Sequence, residues 1–95
     1  MDLELEWDDR KAVTNHEKHG VTFEAAARVF FDKDRIEKLD THRQYGEDRF
    51  VTTGMCRGRL LTVVYTERAE VLRLISARKA TRDEELQYHE NQTGL

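Results

Sequence analysis

Residues 72–85, with the sequence LRLISARKATRDEE, decide the fold of the second half of the chain. The segment opens with closely spaced apolar residues that predict a buried strand, namely Leu72, Leu74 and Ile75. Thr81 predicts the start of a helix, because Glu84 follows it three residues later in the arrangement of a capping box. The segment therefore predicts a sheet with a helix beginning at its rim.

Positive charge is concentrated in the same segment, where Arg73, Arg78 and Lys79 lie at the predicted rim. Sheet rims are places where a rigid scaffold holds groups that contact ligands. Guanidinium groups suit a phosphate or carboxylate partner. The alternative is that Arg73 and Arg78 pair with acids of neighbouring elements, and on this segment alone the alternative is favoured.

The composition predicts one domain, over residues 1–95, with a very polar surface. Hydrophobic residues make up 38% and charged residues 37% of the chain, so a small core must support the fold. No apolar run reaches the ~20 residues of a membrane helix, and the first residues are acidic where a signal peptide is basic. The lone Cys56 excludes an internal disulfide framework. We therefore expect a cytoplasmic protein without a membrane partner.

The charge is distributed unevenly along the chain. The net charge is −3, yet residues 49–80 hold 7 Lys/Arg and 2 Asp/Glu, whereas residues 1–48 hold 8 and 13. A basic unit inside an acidic protein makes a local positive field that attracts an anionic ligand. The acidic remainder opposes non-specific binding to nucleic acid.

The first half of the chain predicts a short strand followed by two helices. Residues 3–7 alternate between apolar and acidic side chains, which is typical of a strand. Asp8 or Asp9 is expected to cap a helix that ends at His19. Thr22 begins a second helix, whose predicted apolar stripe consists of Phe23, Ala26, Ala27, Phe30 and Phe31.

The remainder of the chain predicts a meander of strands and a last helix. In order, the pattern indicates a weak strand (35–40), a polar loop (41–48), three stronger strands (49–55, 59–67 and 71–77), a helix (81–91) and a frayed tail (92–95). Consecutive hairpins make an antiparallel arrangement, and so short a chain cannot build a sandwich. The predicted fold class is α+β, with an antiparallel β-sheet meander, two N-terminal helices and one C-terminal helix.

Two features of the first helix suggest contact with a nucleic acid. Lys11, Asn15 and Lys18 fall on one stripe, which could follow a phosphate backbone. The alternative, a solvated helix face, is favoured without other evidence. His19 is a natural general acid or base near neutral pH. The alternative interpretation is that its side chain hydrogen-bonds to the last carbonyls of the helix.

RNA can be cut without a metal when the neighbouring 2′-hydroxyl attacks the phosphate. The reaction needs a proton acceptor, a proton donor and cations for the developing charge. The predicted strands carry suitable cations, namely Arg49, Arg68, Arg73 and Arg78. His19, Glu67 and Tyr65 are candidates for the proton transfers. Trp7 could stack on a base, although a Trp in a strand more often belongs to a core.

The sequence predicts no metal or cofactor site. His16, His42 and His89 show no metal-ligand spacing with one another or with Cys56. A Gly-rich phosphate loop, a G-x-S-x-G motif and a C-x-x-C pair are all absent from the sequence.

Several short motifs follow one another along the chain. They are Trp7-Asp8, Lys11, Asn15, Lys18-His19-Gly20-Val21 with Phe23-Glu24, Glu47 with Arg49 and Gly54, Tyr65-Thr66-Glu67-Arg68, and the run from Arg73 to Ala80 with Glu84. No single piece is specific. Their joint order and spacing, which hold over nearly the whole chain, resemble the BrnT-like toxin family.

The resemblance implies a RelE-like α+β ribonuclease that cleaves RNA without a metal and inhibits translation, as the toxin of a type II toxin–antitoxin pair. It also implies a BrnA-like antitoxin that covers the toxin, dimerises and binds operator DNA. By position, Arg68, Arg73 and Arg78 fall in the implied RNA-cutting site. We expect His19 or Glu67 to handle protons there. The expected RNA contacts are basic: Lys11, Lys18, Arg49 and Lys79.

One departure from the family and two rival interpretations stay open at this point. Family members often carry Gly where this chain has Ala69, and an Ala that needs φ > 0 is strained, so this turn could differ. The first rival is a non-catalytic binding module whose basic sheet holds an acidic protein partner or a nucleic acid. The second rival is a folded but inactive toxin homologue.

Overall fold

The structure, a computed structural model, describes residues 3–40 and 46–93 of the chain. Within these ranges the strands are β1 (Leu5–Glu6), β2 (Ile36–Asp40), β3 (Arg49–Cys56), β4 (Arg59–Arg68) and β5 (Val71–Lys79). The helices are α1 (Asp9–His19), α2 (Phe23–Ala27), a 3-10 helix (Arg28–Phe31) that continues α2, and α3 (Arg82–Thr93). This order confirms the predicted α+β class.

The strands form one sheet in the order β1-β5-β4-β3-β2. Strands β2 to β5 are antiparallel neighbours joined in sequence, which confirms the meander. The first strand corrects the prediction of a purely antiparallel sheet, because β1 pairs in parallel with β5 and places Glu6 opposite Arg73. Two helices and strands β2 to β4 separate β1 from β5 in sequence. The strands β1 and β5 therefore need not run in opposite directions as the strands of a hairpin do.

Strand β5 extends beyond its predicted range of 71–77. Arg78 pairs with Thr62 of β4 and Lys79 pairs with Leu61, so both cations lie within the sheet and not on the turn before α3. The ladder continues because β4, at 10 residues, is long enough to supply these partners. The position of Arg78 is therefore fixed by sheet pairing.

The turn between β4 and β5 keeps the left-handed geometry that was in question. Ala69 has a φ of 50° and Glu70 a φ of 70°, so two consecutive residues with side chains lie in the left-handed region. Two-residue hairpin turns favour this geometry because it matches the twist of the strands. Ala69 thus adopts the positive φ at which the sequence predicted strain for an alanine.

The two helices near the start of the chain have the predicted caps. Asp8 accepts hydrogen bonds from two amides of the first turn of α1, at 2.8 and 3.2 Å, and Gly20 ends that helix with a φ of 69°. Thr22 caps α2, but the regular helix ends at Ala27 and tightens into the 3-10 helix. Phe31, predicted to lie in the apolar stripe, is instead 75% exposed, because a 3-10 helix turns every three residues.

Helix α3 begins with the predicted capping box. The Glu84 amide donates to Thr81 Oγ1 at 3.2 Å, and the Thr81 amide donates to Glu84 Oε1 at 2.8 Å. The helix continues to Thr93, beyond its predicted end at Asn91, and the fraying of the tail stays a prediction. The rest of the predicted tail, and most of the loop predicted over 41–48, lie outside the described residues.

One face of the sheet, called here the packed face, is covered by α1, α2 and the 3-10 helix. The core beneath them consists of Val21, Phe23, Ala26, Val29, Cys56, Leu61, Val63, Leu74 and Ala77. Trp7 packs edge-on against Phe23, with ring centroids 5.7 Å apart, so the core interpretation of this Trp is the one the structure supports. Gly54 permits close approach of the 3-10 helix, because a Cβ there would lie 2.7 Å from Val29 Cγ1.

The opposite face of the sheet, called here the polar face, carries hydroxyl and guanidinium groups. On β4, Leu61 and Val63 belong to the core, so strand alternation turns Thr62 and Thr66 to the polar face. Helix α3 covers one end of the polar face, where Glu84 reaches Thr62. No described element covers the other end.

Candidate functional site

Two rows of polar side chains cross the polar face, about 13 Å apart along β4. The first, called here the closed row, consists of Thr53, Thr62 and Arg78 on three adjacent strands together with Glu84 of α3. The two threonine hydroxyls are 2.8 Å apart, and Thr62 donates to Glu84 Oε1 at 2.9 Å. Both hydroxyls of this row have partners, and the row ties α3 to the sheet.

Arg78 and Glu84 form a two-pronged ion pair within the closed row. Arg78 donates to both carboxylate oxygens of Glu84, at 2.8 and 3.0 Å. Burial by itself raises the pKa of Glu84, but hydrogen bonds from Arg78, the Thr81 amide and Thr62 outweigh burial and lower this pKa to about 2. The hydrogen bond to Glu84 also raises the pKa of Arg78. Both groups are therefore charged at any physiological pH.

The second row, called here the open row, crosses all five strands. From β2 through β3, β4 and β5 to β1 it consists of Asp40, Arg49, Thr66, Arg73 and Glu6, where the register of Phe50 with Tyr65, continued by one residue, sets Arg49 opposite Thr66. Arg73 Nη1 donates to Glu6 Oε2 at 2.6 Å, and these side chains are 30% and 45% exposed. The Glu84 side chain of the closed row is only 12% exposed. Of the two glutamates, Glu6 is therefore the one that solvent or a ligand can displace from its arginine.

The Thr66 hydroxyl lies in the middle of the open row. Thr66 is 1% exposed, and its Oγ1 makes no hydrogen bond to any residue that the structure describes. Residues directly opposite each other in an antiparallel pair have Cβ atoms about 5 Å apart, so this hydroxyl is a neighbour of the Arg73 side chain. Such a group is uncommon, because most buried polar groups in proteins are hydrogen-bonded.

Arg68 extends the cationic surface from the open row toward the β4–β5 turn. It follows Thr66 by two residues and so lies on the same face. Its Nε and Nη2 donate to the two carboxylate oxygens of Glu47, at 3.0 and 3.2 Å, and the Arg68 side chain is 57% exposed. Exposed ion pairs contribute little to stability, so Arg68 can exchange Glu47 for another anion.

A groove of about 350 Å³ runs between α1 and the edge of β5. Asn15 fixes this edge, because its side chain donates to the Ala77 carbonyl at 2.9 Å and accepts from the Ala77 amide at 3.0 Å. Asn15 is thus a buried anchor, and it lines the groove together with Lys11 and Lys18, the two residues predicted to share its stripe on α1. The groove lining includes Arg10, Lys11, Lys18, His19, Ile75 and Ser76, and its ionisable side chains are all basic. The groove therefore favours an anion.

The groove and the polar face meet at Ser76. This residue lines the groove and pairs with Val64 of β4, which strand alternation places on the polar face. Ser76 lies between Arg73 and Arg78 along β5. The structure thus brings His19 of the groove to the same edge of the sheet as the arginines of β5.

Three of the predicted residues lie away from this surface. Strand alternation turns Glu67 and Lys79 to the packed-face side, where both are exposed near strand ends. The Tyr65 hydroxyl is part-buried on the packed face and donates to Glu37. Burial, together with this hydrogen bond, raises the pKa of Tyr65, so the phenol keeps its proton at neutral pH.

Sequence reasoning did not single out Thr66 or Glu6 as members of a site. The alternation of β4 is a local signal that places the Thr66 hydroxyl on the same face as Thr62. Glu6 has no such signal, because it reaches Arg73 only through the parallel pairing of β1 with β5, which is distant in sequence.

The described residues hold no arrangement typical of a metal centre, since no three His, Cys, Asp or Glu side chains in these ranges come together in a way that could hold an ion. Cys56 is buried and free. No helix within the described ranges is both long and apolar enough to cross a membrane.

The fold and the site together define a class of protein, a small α+β domain that gathers arginines on one sheet face beside a basic groove, as proteins that bind a polyanion do. The chain matches, over residues 7–84, the model of a family described as "Ribonuclease toxin, BrnT, of type II toxin-antitoxin system". Because this match covers most of the 95 residues, the chain belongs to that family, as the resemblance predicted. It is therefore a ribonuclease toxin whose partner is an antitoxin protein. A search of the curated proteins gave no match.

Proposed function

We propose that the chain is a metal-independent endoribonuclease that cleaves RNA in the cytoplasm and thereby inhibits translation. The observation that carries this proposal is the gathering of Arg49, Arg68 and Arg73 on the polar face, together with the basic groove beside α1. Phosphate contacts supply most of the affinity for a nucleic acid and fix its position, so an RNA strand needs such an extended surface.

The proposed reaction needs no metal ion. The 2′-hydroxyl oxygen attacks the adjacent phosphorus, and the bond between phosphorus and the 5′ oxygen breaks, which leaves a 2′,3′-cyclic phosphate and a 5′-hydroxyl. Arg68 and Arg73 stabilise the negative charge that develops on the phosphate oxygens. Arg78 belongs to the same proposed site, and its ion pair with Glu84 gives it a structural task as well.

We assign the role of proton acceptor to His19. Its side chain lines the groove that ends at Ser76, beside the arginines of β5. An imidazole accepts and releases protons readily near neutral pH. Glu67 is the other acceptor that the sequence offers, but it is exposed near the end of β4 and does not line the groove that ends at Ser76. His19 is therefore the better placed of the two, and water supplies the proton for the 5′ oxygen.

The remaining cations are proposed to hold the RNA on either side of the cleaved bond. Lys11 and Lys18 project into the groove, and Arg49 lies in the open row beside Thr66. Lys79, at the end of β5, contacts the strand as it leaves the sheet edge. Since these contacts are to phosphates, RNA affinity should fall steeply as the salt concentration rises.

The antitoxin is proposed to be BrnA-like, to dimerise and to bind operator DNA on behalf of the complex. We place its contact on the open row, because Arg68 and Arg73 already hold the carboxylates of Glu47 and Glu6. An acidic antitoxin segment would take the same positions and exclude RNA. Charge reversal of Arg68 and Arg73 to Glu should therefore weaken the toxin–antitoxin complex in a pull-down. An unchanged complex would place the antitoxin elsewhere.

The test of the proposed activity is cleavage of a long single-stranded RNA in the presence of EDTA. We expect wild type to cut, and His19→Ala and Arg73→Ala to lose most of the activity. Arg59→Ala is the matched control, because it removes one exposed positive charge from the start of β4, away from the open row. Folded wild-type protein that leaves RNA intact with EDTA, but cuts when Mg²⁺ is supplied, would contradict the metal-independent mechanism.

A non-catalytic binding module is the second candidate function. The carboxylates that Arg68, Arg73 and Arg78 hold show that this face suits acidic side chains as well as phosphates. That candidate predicts tight binding of an acidic partner, with no RNA cleavage at high protein concentration under any metal condition. Growth arrest on expression of wild type, relieved by Arg73→Ala, would argue against it.

A further inference from the structure

The Thr66 hydroxyl has no task in the fold or in the reaction proposed above. It is buried, and its Oγ1 is without a hydrogen bond among the described residues. Thr62 provides the comparison, because it lies on the same strand and the same face, and its hydroxyl contacts both Thr53 and Glu84. A valine has nearly the shape of a threonine, so packing alone does not require a hydroxyl at residue 66.

We infer that the Thr66 hydroxyl and the Arg73 guanidinium form a binding subsite for one phosphodiester group of the RNA, and that the Glu6 carboxylate occupies only the Arg73 part of it in the free toxin. The inference deepens the proposed function and rests on it for the identity of the ligand. Thr66 and Arg73 are directly opposite each other in the β4–β5 pair, with side chains on the polar face.

The Glu6 carboxylate marks where the phosphate would lie. It accepts from Arg73 Nη1 at 2.6 Å, and phosphate oxygens accept from the same guanidinium donors in the same manner. Glu6 belongs to a two-residue edge strand and its side chain is 45% exposed, so it can leave the guanidinium when a phosphate arrives.

A phosphodiester offers what the carboxylate does not, namely acceptor oxygens that point in more than one direction. One oxygen on Arg73 leaves another directed toward β4, where the Thr66 hydroxyl is a donor in need of an acceptor. Thr66 would thus bind the phosphate without taking part in proton transfer. Thr66 is therefore a binding residue. Its short, uncharged hydroxyl favours a tetrahedral anion over a carboxylate.

The test uses a 2′-O-methyl RNA oligonucleotide, which binds but cannot be cut through its 2′ position. Its affinity for wild type, Thr66→Val and Thr66→Ser is measured by fluorescence anisotropy, after thermal melts show that the variants are folded. We expect Thr66→Val to bind about tenfold more weakly, as for the loss of one hydrogen bond to a charged group. Thr66→Ser keeps the hydroxyl and should bind within about threefold of wild type.

Each outcome decides the inference. Thr66→Val with wild-type affinity overturns the subsite, and so does Thr66→Ser that binds as weakly as Thr66→Val, because the loss then follows the methyl group. Cleavage of unmodified RNA by wild type is measured in parallel. A Thr66→Val defect in binding without any wild-type cleavage supports the subsite and refutes the proposed function. Wild-type cleavage with full binding by Thr66→Val does the reverse.

Discussion

The closed row and the open row are built from the same parts and do different things. Each places a β4 threonine opposite a β5 arginine that holds a glutamate from another element, Thr62 with Arg78 and Thr66 with Arg73. The acid that Arg78 holds in the closed row is Glu84, 12% exposed, and the acid that Arg73 holds in the open row is Glu6, 45% exposed. The exposure of the acid, and not the identity of the arginine, therefore distinguishes the structural row from the row that is open to a ligand.

The two acids differ because of the elements that carry them. Glu84 lies in the first turn of the 12-residue helix α3 and accepts from Arg78, Thr62 and the Thr81 amide. Glu6 lies on a strand of 2 residues at the edge of the sheet. An arginine held by a fixed acid stabilises the fold, whereas an arginine held by a displaceable acid is available to a ligand.

The largest expected effect separates the two arginines. Arg73→Gln should lower the rate of RNA cleavage roughly 100-fold, as loss of a group that stabilises transition-state charge does, and should change the free energy of unfolding by less than about 0.5 kcal/mol. Arg78→Gln should destabilise the protein by about 2 kcal/mol, because it leaves Glu84 buried beside an uncharged partner. Single-turnover cleavage and urea unfolding measure the two quantities.

Two results would contradict this division between a catalytic Arg73 and a structural Arg78. Arg78→Gln with wild-type stability would mean that Glu84 relaxes into solvent and that the closed row is not a structural tie. A strongly destabilised Arg73→Gln would mean that the open row holds β1 on the sheet.

The next effect is the pH dependence of the closed row. The pKa of Glu84 is about 2 in the folded protein, below its ordinary value of 4.5, so the carboxylate stabilises the fold fully above pH 4.5. As the pH falls toward 2 the unfolded chain takes up a proton first, and this stabilisation is lost. Glu84→Gln should therefore cost about 2 kcal/mol at pH 7 and progressively less between about pH 5 and pH 2.

Melting temperatures of wild type and Glu84→Gln across this pH range give the measurement, and Glu47→Gln is the control. The Glu47→Gln substitution removes the same charge, but Arg68, the partner of Glu47, is 57% exposed. The control should therefore change the free energy of unfolding by less than about 0.5 kcal/mol. A gap between wild type and Glu84→Gln that stays constant down to pH 2 would show that the stabilisation does not come from the ionised carboxylate.

The sequence predicted the capping box and Arg78 of the closed row and the two arginines of the open row, but not the threonines or the pairing of β1 with β5. Thr81 and Glu84 form a local capping box, and the alternation of β5 places its arginines, so short-range rules locate these residues. The open row depends on pairing between the first and the last strand, and no local pattern specifies that β1 joins β5 in parallel.

The same distinction explains the partial success with the site residues. The arginines of β4 and β5 were predicted as cations on rigid elements, and the structure places Arg68 and Arg73 on one face. Glu67 shares its strand with Arg68, but a period of two residues turns the neighbours of an arginine to the other face. A shift of pairing register between Val64 and Tyr65 also alters how β5 faces β4, which sequence alone does not indicate.

A smaller effect is expected at the two hairpin turns, which lie at opposite ends of β4. The β3–β4 turn near the closed row has Arg57 at φ 50° and Gly58 at φ 82°, whereas the β4–β5 turn beyond the open row has Ala69 and Glu70 at positive φ without a glycine. Ala69→Gly should stabilise the protein by about 0.5 to 1 kcal/mol, because relief of left-handed strain exceeds the entropy that glycine adds to the unfolded chain. Urea unfolding measures it, and a destabilised Ala69→Gly would show that the turn carries no strain.

The smallest expected effect tests whether the acid of the open row competes with RNA. Glu6→Gln removes the charge that Arg73 holds, so the affinity for a non-cleavable RNA should rise by about two- to threefold, in keeping with the modest strength of an exposed ion pair. Glu67→Gln is the matched control, because it removes the same charge from an exposed residue that strand alternation turns to the other side of the sheet. Equal gains in RNA affinity for both variants would mean that Glu6 acts only through the net charge of the protein. A gain for Glu6→Gln alone would show that the open row is held closed by its own acid until RNA replaces it.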